Sequence, residues 1–333
     1  KRKAKHLPTD LDKIFTTKLF KNDVVQFLVN DNYLNSKVDK FGFADKLDKY
    51  YFKKLYTEFA ATEPYAVFIR QEESNIENSE SKNIPIEEHL KSKGVHLLLE
   101  EKVVGFEGNT IVDKVITDKG EYETDLVLVS IGVKPNTKFL ESSNIKLSKN
   151  GAVEVNQFME TNILNVYSGG DCAMIYNLAL KENSYLPMGS NANKQGRVIA
   201  ENISGNRFKF NGVLGTIVIK IVDMEAAMTG INEKTAIAKN IKHKAVTVTG
   251  KNHAGYYPNA QPITVKVIYE PNTFRILGAE MVGYKDTALR INVFAVAIQN
   301  EMTTNDLGYL DLAYAPPFAG VWDVIHVAVN NAK

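Results

Sequence analysis

The chain has 333 residues, of which 44% are hydrophobic and 24% are charged, and this composition is ordinary for a protein that buries apolar cores in two or three domains. Forty basic and thirty-nine acidic side chains leave a formal net charge of +1, so no overall field would attract nucleic acid or an anionic membrane. No apolar run approaches the roughly 20 residues of a membrane-spanning helix, and no secretory signal is recognisable. We therefore expect a cytoplasmic protein.

Cysteine usage restricts the chemistry. Cys172 is the only cysteine, so one chain can form neither an internal disulfide nor a cysteine-pair redox centre. It lies in the stretch VYSGGDCAMI, directly after Gly170 and Asp171. The six histidines show no metal-ligand spacing, and we expect no metal site.

The amino-acid composition and the hydrophobic pattern change near residue 85. Residues 1–85 interleave lysine, aspartate and aromatic residues and end in the polar stretch QEESNIENSESKN, which predicts a mostly helical region followed by a linker. IPIEEHLKSKG predicts a helix that ends before Gly94, and VHLLLEEKVVGF and TIVDKVITD predict strands. An Asp-Lys-Gly turn leads to EYETDLVLVSIG, which is almost continuously apolar up to Gly132 and so predicts a strand buried on both faces.

A strand ILNVYSG is predicted to end at Gly170 and Asp171. Such a strand places a carboxylate at the C-terminal edge of a sheet, where it can accept hydrogen bonds from ribose or ribityl hydroxyls. A following helix N-terminus can bind phosphate. A plain helix N-cap is the open alternative for Asp171. The stretch MGSNANKQGRVIAENISG predicts the helix, with four apolar residues toward a core: Ala192, Val198, Ile199 and Ile203.

The C-terminal part predicts a mixed α and β domain. GTIVIKIVD, KAVTVTG, PITVKVIY and FRILGAEMVG read as strands, with EPNT as a tight turn before the last. Asn232 is placed to cap a short helix, and DTALRINVFAVAIQNEM has enough apolar residues for a buried or strongly amphipathic helix.

Five ordered blocks carry a family resemblance. DLVLVSIGVKPNT, NVYSGGDCA, LPMGSNANKQGRVIAENISG and GTIVIKIVDMEAAMTGINE resemble, in that order, the flavin-dependent pyridine nucleotide-disulfide oxidoreductases. LAYAPPFAGVWDVIHVA, together with HAGYYPNAQPITVKVIY, is similar to the coenzyme A-disulfide reductase and NADH oxidase branch. The resemblance covers about residues 86–333, and ordered blocks are more specific than any one motif.

The resemblance implies an α/β fold class, with partial FAD- and NAD(P)-binding doubly wound domains followed by an α+β interface domain. Residues 86–150 would be the C-terminal part of the NAD(P)H-binding domain and 151–212 that of the FAD-binding domain. Residues 213–333 would be the interface or dimerisation domain, and 1–85 stay unassigned. The apolar C-terminal blocks agree with a homodimer.

The resemblance also implies cofactor contacts. Asp171, with Gly170 before it, matches the aspartate that contacts the ribityl and pyrophosphate part of FAD. Ala192 lies in the helix that starts beneath the flavin, and Gly132 matches a glycine near the nicotinamide nucleotide. The implied cofactors are therefore FAD and NAD(P)H.

Coenzyme A is a further implied ligand. Tyr256 and Tyr314 match tyrosines of the interface domain that reach the substrate in the partner subunit. Two alternatives stay open, since Tyr314 could be the core aromatic of a rigid Pro-Pro turn and Tyr257 could replace Tyr256. The family's redox cysteine lies in the N-terminal FAD-binding region, so Cys172 is interpreted as a spectator packed at a helix start, although such a position could lower a thiol pKa.

Several family features are missing from the sequence. No GxGxxG occurs, residues 1–85 contain only Gly42 as glycine, and no catalytic nucleophile can be assigned. The favoured reading is an oxidoreductase that passes hydride from NAD(P)H to FAD and on to a disulfide or to oxygen. It would be either a piece of such an enzyme or one with a divergent N-terminal region. The alternative is a pseudoenzyme that uses the interface domain for dimerisation or coenzyme A binding.

Overall fold

The computed structural model describes residues 67–69 and 85–333. The region 1–85, predicted to be mostly helical, lies almost wholly outside these residues, and strand β1, Val67–Ile69, is its main described part. The elements are a mixture of helices and strands, so the predicted α/β fold class is confirmed.

The described residues form two compact units. The first holds residues 67–69, 85–125 and 220–224, and the second holds 126–219 and 225–333. The four-part division predicted from the sequence stays a prediction.

Helix α1, Pro85–Ser92, follows the predicted pattern. Glu87 and Glu88 lie in its first turn, where negative charge is favourable because the helix dipole is positive there. Gly94 adopts a φ of +82°, and its N–H donates to the carbonyl of Lys91 at 3.1 Å. The predicted glycine stop is therefore confirmed.

Short strands make up most of the rest of the first unit. β2, His96–Leu98, pairs in parallel with β1. β3, Val103–Glu107, and β4, Lys114–Thr117, form an antiparallel sheet with β5, Glu121–Glu123. The stretch predicted as one strand, VHLLLEEKVVGF, therefore forms two. The N–H of Thr117 donates to the carbonyl of Gly120 at 2.8 Å and closes the predicted Asp-Lys-Gly turn.

The prediction of a strand buried on both faces is wrong for residues 126–132. Within the part of the chain that the structure describes, no strand pairs with this segment. Four apolar side chains in the segment or directly after it are exposed: Leu128, Val129, Ile131 and Val133. A strand of a doubly wound sheet is buried only when neighbouring strands and helices cover both of its faces. This segment has the apolar composition of such a buried strand, but the described residues do not include the strands and helices that would cover it.

In the second unit, helix α2, Gly189–Ile203, is the longest helix described. Its buried face consists of Asn191, Gln195, Val198 and Asn202, a spacing of three to four residues that keeps side chains on one face. Ile203, predicted to face the core, is 66% exposed because it falls outside this stripe. The predicted strand ILNVYSG forms only an isolated bridge between Glu160 and Tyr167 among the described residues. A separate short hairpin joins β6, Ile175–Asn177, to β7, Glu182–Ser184.

The C-terminal domain is built on a five-stranded sheet. The strands are β8, Ile217–Ile221; β9, Met224–Gly230; β10, Lys244–Lys251; β11, Pro262–Tyr269; and β12, Ile276–Gly283. Their order in the sheet is β10-β11-β12-β9-β8, and neighbours from β10 to β9 pair antiparallel. The predicted strands and the EPNT turn of this domain are confirmed.

Four helices accompany this sheet: α3, Glu233–Ala238; α4, Ile291–Gln299; α5, Thr304–Gly308; and α6, Val324–Asn330. Asn232 accepts a hydrogen bond from the N–H of Thr235 at 2.8 Å, so its predicted cap is confirmed. The main core joins α4 and α6 to one face of the sheet and includes Phe294, which is fully buried. The interior residues Ile263, Val265 and Val267 alternate along β11, as a strand with one core face requires.

Neither a metal cluster nor a membrane helix is found in the described residues. No group of three or more potential metal-ligating side chains lies together there. No helix in residues 85–333 is long and apolar enough to cross a membrane.

Candidate functional site

The Gly170–Asp171 turn lies against helix α2. Gly170 has a φ of +89°, a left-handed conformation that costs other residues about 1–2 kcal/mol. A Cβ placed on Gly170 would lie 3.9 Å from the Cβ of Ala192. The structure therefore brings together Gly170, Asp171 and Ala192, three of the residues predicted to contact cofactor.

Gln195 holds this turn from the helix. Its Oε1 accepts a hydrogen bond from the N–H of Gly170 at 2.8 Å, and its Nε2 lies 3.4 Å from the carbonyl of Met174. The side chain of Gln195 is 1% exposed. At Gly169, an added Cβ would lie 2.8 Å from Ile199 Cδ1 and 3.1 Å from Gln195 Cβ, so the backbone passes close to the helix here.

Asp171 presents its side chain to solvent. No hydrogen bond to its carboxylate is found within the described residues, whereas its backbone carbonyl accepts one from Tyr185 Oη at 2.9 Å. Partial burial of Tyr185 raises the pKa of its phenol, and the charge of Asp171 raises that pKa further. The helix N-cap alternative for Asp171 is wrong, since Met188 is the N-cap of α2 and residues 171–172 form a turn.

The first turn of α2 begins at Gly189, whose Cβ position is open. No acidic residue lies in this turn and the N-cap makes no side-chain hydrogen bond. Gly189 has nothing within 4 Å of an added Cβ. The first N–H groups of a helix lack partners within the helix and carry partial positive charge, so this end of α2 suits a phosphate or another electron-rich group.

Gly132 lies apart from this cluster. It has a φ of +83°, and nothing lies within 4 Å of a Cβ added there. The structure does not bring Gly132 into contact with Gly170, Asp171 or Ala192.

Tyr256 and Tyr314 form a second, separate site. Their hydroxyls lie 3.4 Å apart although 58 positions separate them in the chain. The side chains are 78% and 45% exposed, respectively, so the alternative that Tyr314 is a core aromatic is wrong. The hydrogen bond with Tyr256 raises the pKa of Tyr314, and partial burial contributes to the same shift. Tyr257 instead contacts His253 edge to face at 5.7 Å.

Cys172 does not pack at a helix start, because α2 begins at Gly189. Its thiol lies 3.6 Å from the carbonyl of Gly169 and 3.7 Å from Ser168 Oγ. The expectation of a helix-start environment is therefore wrong, and the interpretation of Cys172 as a spectator stays a prediction.

The sequence interpretation missed two residues that support these sites. Gln195 follows Ala192 by three positions, a spacing that puts both on one side of a helix and could have pointed to it. Arg290, a lone cation before an apolar helix, donates hydrogen bonds to the loops of both tyrosines. Nothing in the sequence pattern places those loops beside it.

Comparison with known proteins shows the family to which the chain belongs. Residues 77–196 match the family described as "Pyridine nucleotide-disulphide oxidoreductase". Residues 217–324 match its dimerisation domain. The chain belongs to the pyridine nucleotide-disulphide oxidoreductase family.

Two relatives within this family are similar in sequence to this chain. The NAD(P)H sulfur oxidoreductase (CoA-dependent) of Pyrococcus furiosus is 37% identical over 248 residues, which are 74% of this chain and 56% of that protein. A coenzyme A disulfide reductase of Staphylococcus aureus is 34% identical over 253 residues, 75% of this chain and 56% of that protein. The chain thus spans little more than half the length of these relatives.

Solved structures of related enzymes superpose on about three quarters of this chain. Reduced Bacillus anthracis CoADR-RHD superposes with a TM-score of 0.71 at 33% identity, covering 74% of this chain and 44% of that one. The water-forming NADH oxidase of Lactobacillus brevis has a TM-score of 0.70 at 27% identity, covering 74% and 55%.

Proposed function

We propose that this chain forms part of a flavin- and NAD(P)H-dependent oxidoreductase that reduces a disulfide of the coenzyme A type or oxygen. The observation that carries the proposal is the Gly170–Asp171 turn seated on α2, in a chain of the pyridine nucleotide-disulphide oxidoreductase family. Relatives named as coenzyme A disulfide reductase and as NADH oxidase support the two acceptor classes. A cytoplasmic location and the domain boundaries at 150 and 212 are parts of the same proposal.

The turn has the properties that an FAD site requires. Gly170 has no side chain and adopts a positive φ, and the carboxylate of Asp171 is exposed and available to accept hydrogen bonds from ribityl hydroxyls. The first turn of α2 begins at Gly189, where an added Cβ would meet nothing within 4 Å, and the N-terminus of a helix suits a phosphate. When bound, FAD supplies the hydride acceptor for NAD(P)H and passes electrons on to the final acceptor.

Gly132 is the proposed contact for the nicotinamide nucleotide. Its positive φ and the open space around its α-carbon allow a ligand to approach the backbone closely. Because Gly132 makes no contact with the Gly170 cluster, this assignment rests on the family resemblance and on local geometry.

Tyr256 and Tyr314 are the proposed contacts for coenzyme A. Two exposed hydroxyls 3.4 Å apart can donate together to one phosphate, carbonyl or thiol-derived group. The CoA-dependence named for the Pyrococcus furiosus relative supports this ligand class.

A homodimer is the proposed assembly. The dimerisation-domain match supports it, as does a set of large apolar side chains exposed on the C-terminal domain: Leu289, Val296, Tyr309, Phe318, Val321 and Trp322. Monomeric proteins seldom expose so many apolar groups together. Static light scattering is expected to give about twice the chain mass of 37.2 kDa, and a monomeric mass at micromolar concentration would count against the dimer.

The visible absorption spectrum of the purified, undenatured chain tests the flavin proposal. A flavin spectrum, present on isolation or after incubation with FAD, is the expected result. Anaerobic reduction with NADH or NADPH, followed by mixing with oxygen or with coenzyme A disulfide, then identifies the acceptor. A spectrum that stays flat with added FAD contradicts flavin binding by this chain alone and favours the pseudoenzyme.

A further inference from the structure

The two tyrosines lie on loops that the chain does not join directly. Tyr256 lies between β10 and β11, and Tyr314 lies between α5 and α6. Each loop is turned by its own hydrogen bonds, such as Tyr257 N–H to the carbonyl of Ala254 and Phe318 N–H to that of Ala315, both at 2.9 Å. The spacing of the two hydroxyls therefore depends on what holds one loop against the other.

Arg290 makes this link through a single nitrogen. Its Nη2 donates to the carbonyl of Asn252 at 2.7 Å and to the carbonyl of Phe318 at 3.0 Å. Asn252 precedes Tyr256 by four residues, and Phe318 follows Tyr314 by four. The backbone hydrogen bond between the loops, from Ala254 N–H to Pro316, is 3.3 Å long, near the limit at which such bonds contribute.

The guanidinium itself is fixed in place. Its Nε donates to Asp323 Oδ2 at 3.0 Å, and its Nη1 donates to the carbonyl of Asp286 at 2.5 Å. The Arg290 and Asp323 side chains are 13% and 9% exposed. The other oxygen of Asp323 accepts from the N–H of Ile325 at the start of α6. A planar guanidinium held on three sides is a rigid element.

We propose that Arg290 is a positioning residue whose guanidinium, held by Asp323, clamps the two loops and thereby sets the Tyr256–Tyr314 hydroxyl pair that receives a coenzyme A-type ligand. The ligand class rests on the proposed function, whereas the clamp itself rests on the contacts of Arg290. Tightly held loops lower the cost of ordering a site when ligand binds.

Two substitutions test the clamp. Arg290→Lys keeps the charge, but an ammonium lacks the planar fork that reaches Asp323 and both carbonyls. Asp323→Asn keeps the shape of that side chain and removes the charge that fixes the guanidinium. Arg275→Lys is the matched control, since Arg275 pairs with Glu301 at 3.2 Å on the surface and contacts neither loop.

The readout is the titration of Tyr314, followed by NMR of chains labelled with ¹³C at tyrosine Cζ and assigned with Tyr314→Phe. Because the hydrogen bond with Tyr256 raises the pKa of Tyr314, separation of the loops lowers that pKa toward the ordinary value. Arg290→Lys and Asp323→Asn are expected to show this fall and to weaken coenzyme A binding at least about tenfold by calorimetry. Arg275→Lys leaves both quantities unchanged.

Different results would contradict the proposed clamp and the proposed coenzyme A ligand. An unchanged Tyr314 titration in folded Arg290→Lys and Asp323→Asn overturns the clamp, even if both variants melt at lower temperature. If Arg290→Lys does not fold, Asp323→Asn decides by the same criterion. Wild-type chain that binds no coenzyme A contradicts the proposed ligand, while the titrations still decide whether Arg290 holds the tyrosine pair.

Discussion

The backbone N–H of Gly170 donates to Oε1 of Gln195 at 2.8 Å, so a buried side chain of α2 fixes the turn that presents Asp171. The Gln195 side chain and the Gly170 backbone each depend on the other for this hydrogen bond. Gln195 satisfies a backbone donor beside the core, and the left-handed Gly170 brings that donor to it. The position of Asp171 therefore depends on a buried side chain of α2.

Gly170→Ala is expected to destabilise the chain through its backbone. The added Cβ has room, since its nearest neighbour would lie 3.9 Å away, so the cost is that of the left-handed φ, about 1–2 kcal/mol. Urea unfolding measures this loss, and any bound flavin should be retained less well because the turn shifts.

Gly196→Ala is the matched control on helix α2. Nothing lies within 4 Å of a Cβ added at Gly196, and alanine is favoured over glycine in a helix by about 1 kcal/mol. This variant is expected to be more stable than the wild type. Equal effects of the two substitutions would contradict the assigned role of the Gly170 conformation.

Tyr314→Phe tests the tyrosine pair directly. It removes one hydroxyl and leaves the ring, so coenzyme A binding should weaken by about 1 kcal/mol, the value of one hydrogen bond. Calorimetry measures the affinity. Tyr122→Phe is the control, because it also removes a tyrosine hydroxyl, one that donates to Glu101 at 2.7 Å, and Tyr122 lies on neither tyrosine loop. Unchanged affinity in Tyr314→Phe would remove this hydroxyl from the proposed site.

Phe294→Ala tests the core of the interface domain. Phe294 is fully buried, and truncation of such a side chain costs about 3–5 kcal/mol through lost contacts and a residual cavity. Val296, on the same helix, is 60% exposed, so Val296→Ala should change the free energy of unfolding of the monomer by less than about 0.5 kcal/mol. If Val296→Ala shifts the dimer equilibrium in light scattering, a second copy covers this residue.

Glu280→Gln is expected to stabilise the chain at neutral pH. Burial raises the pKa of Glu280, with Lys266 partly opposing the shift. A carboxyl whose folded pKa is raised is most favourable while protonated, and its contribution to stability is lost as the pH rises through that pKa. The gain from Glu280→Gln should therefore appear at about pH 8 and vanish below about pH 4, as urea unfolding at both values would show.

Glu270→Gln should behave in the opposite way. Hydrogen bonds from Thr273 and Asn272 lower the pKa of Glu270, so its carboxylate stabilises the fold above its ordinary pKa, and this contribution is lost on acidification. This variant should lose stability at neutral pH. The same sign for both glutamate variants would contradict the burial argument for Glu280.

Local patterns predicted local structure well. Gly94 ends α1, Asn232 caps α3, and the alternation in PITVKVIY forms β11, because capping and strand period depend on near neighbours in the sequence. The turn after ILNVYSG also followed from the local pattern, whereas the cofactor roles of Asp171 and Ala192 came from the family resemblance.

The rest depended on neighbours distant in the chain. The apolar segment 126–132 reads as a buried strand, but burial requires partners that its own residues do not specify. Ile203 was assigned to the core by residue type and lies outside the buried stripe of α2. The 3.4 Å approach of Tyr256 to Tyr314 depends on Arg290, which lies on neither loop.

The exposed segment after Asp125 has a consequence for handling the protein. Between Asp125 and Lys134 the chain reads LVLVSIGV, which is uncharged, lacks proline and is rich in β-branched residues. Such stretches have the composition of amyloid-forming segments, in which strands of many chains stack in register. Concentrated samples are therefore expected to form thioflavin-positive fibres in time, and charged substitutions at exposed Val129 or Ile131 should delay them.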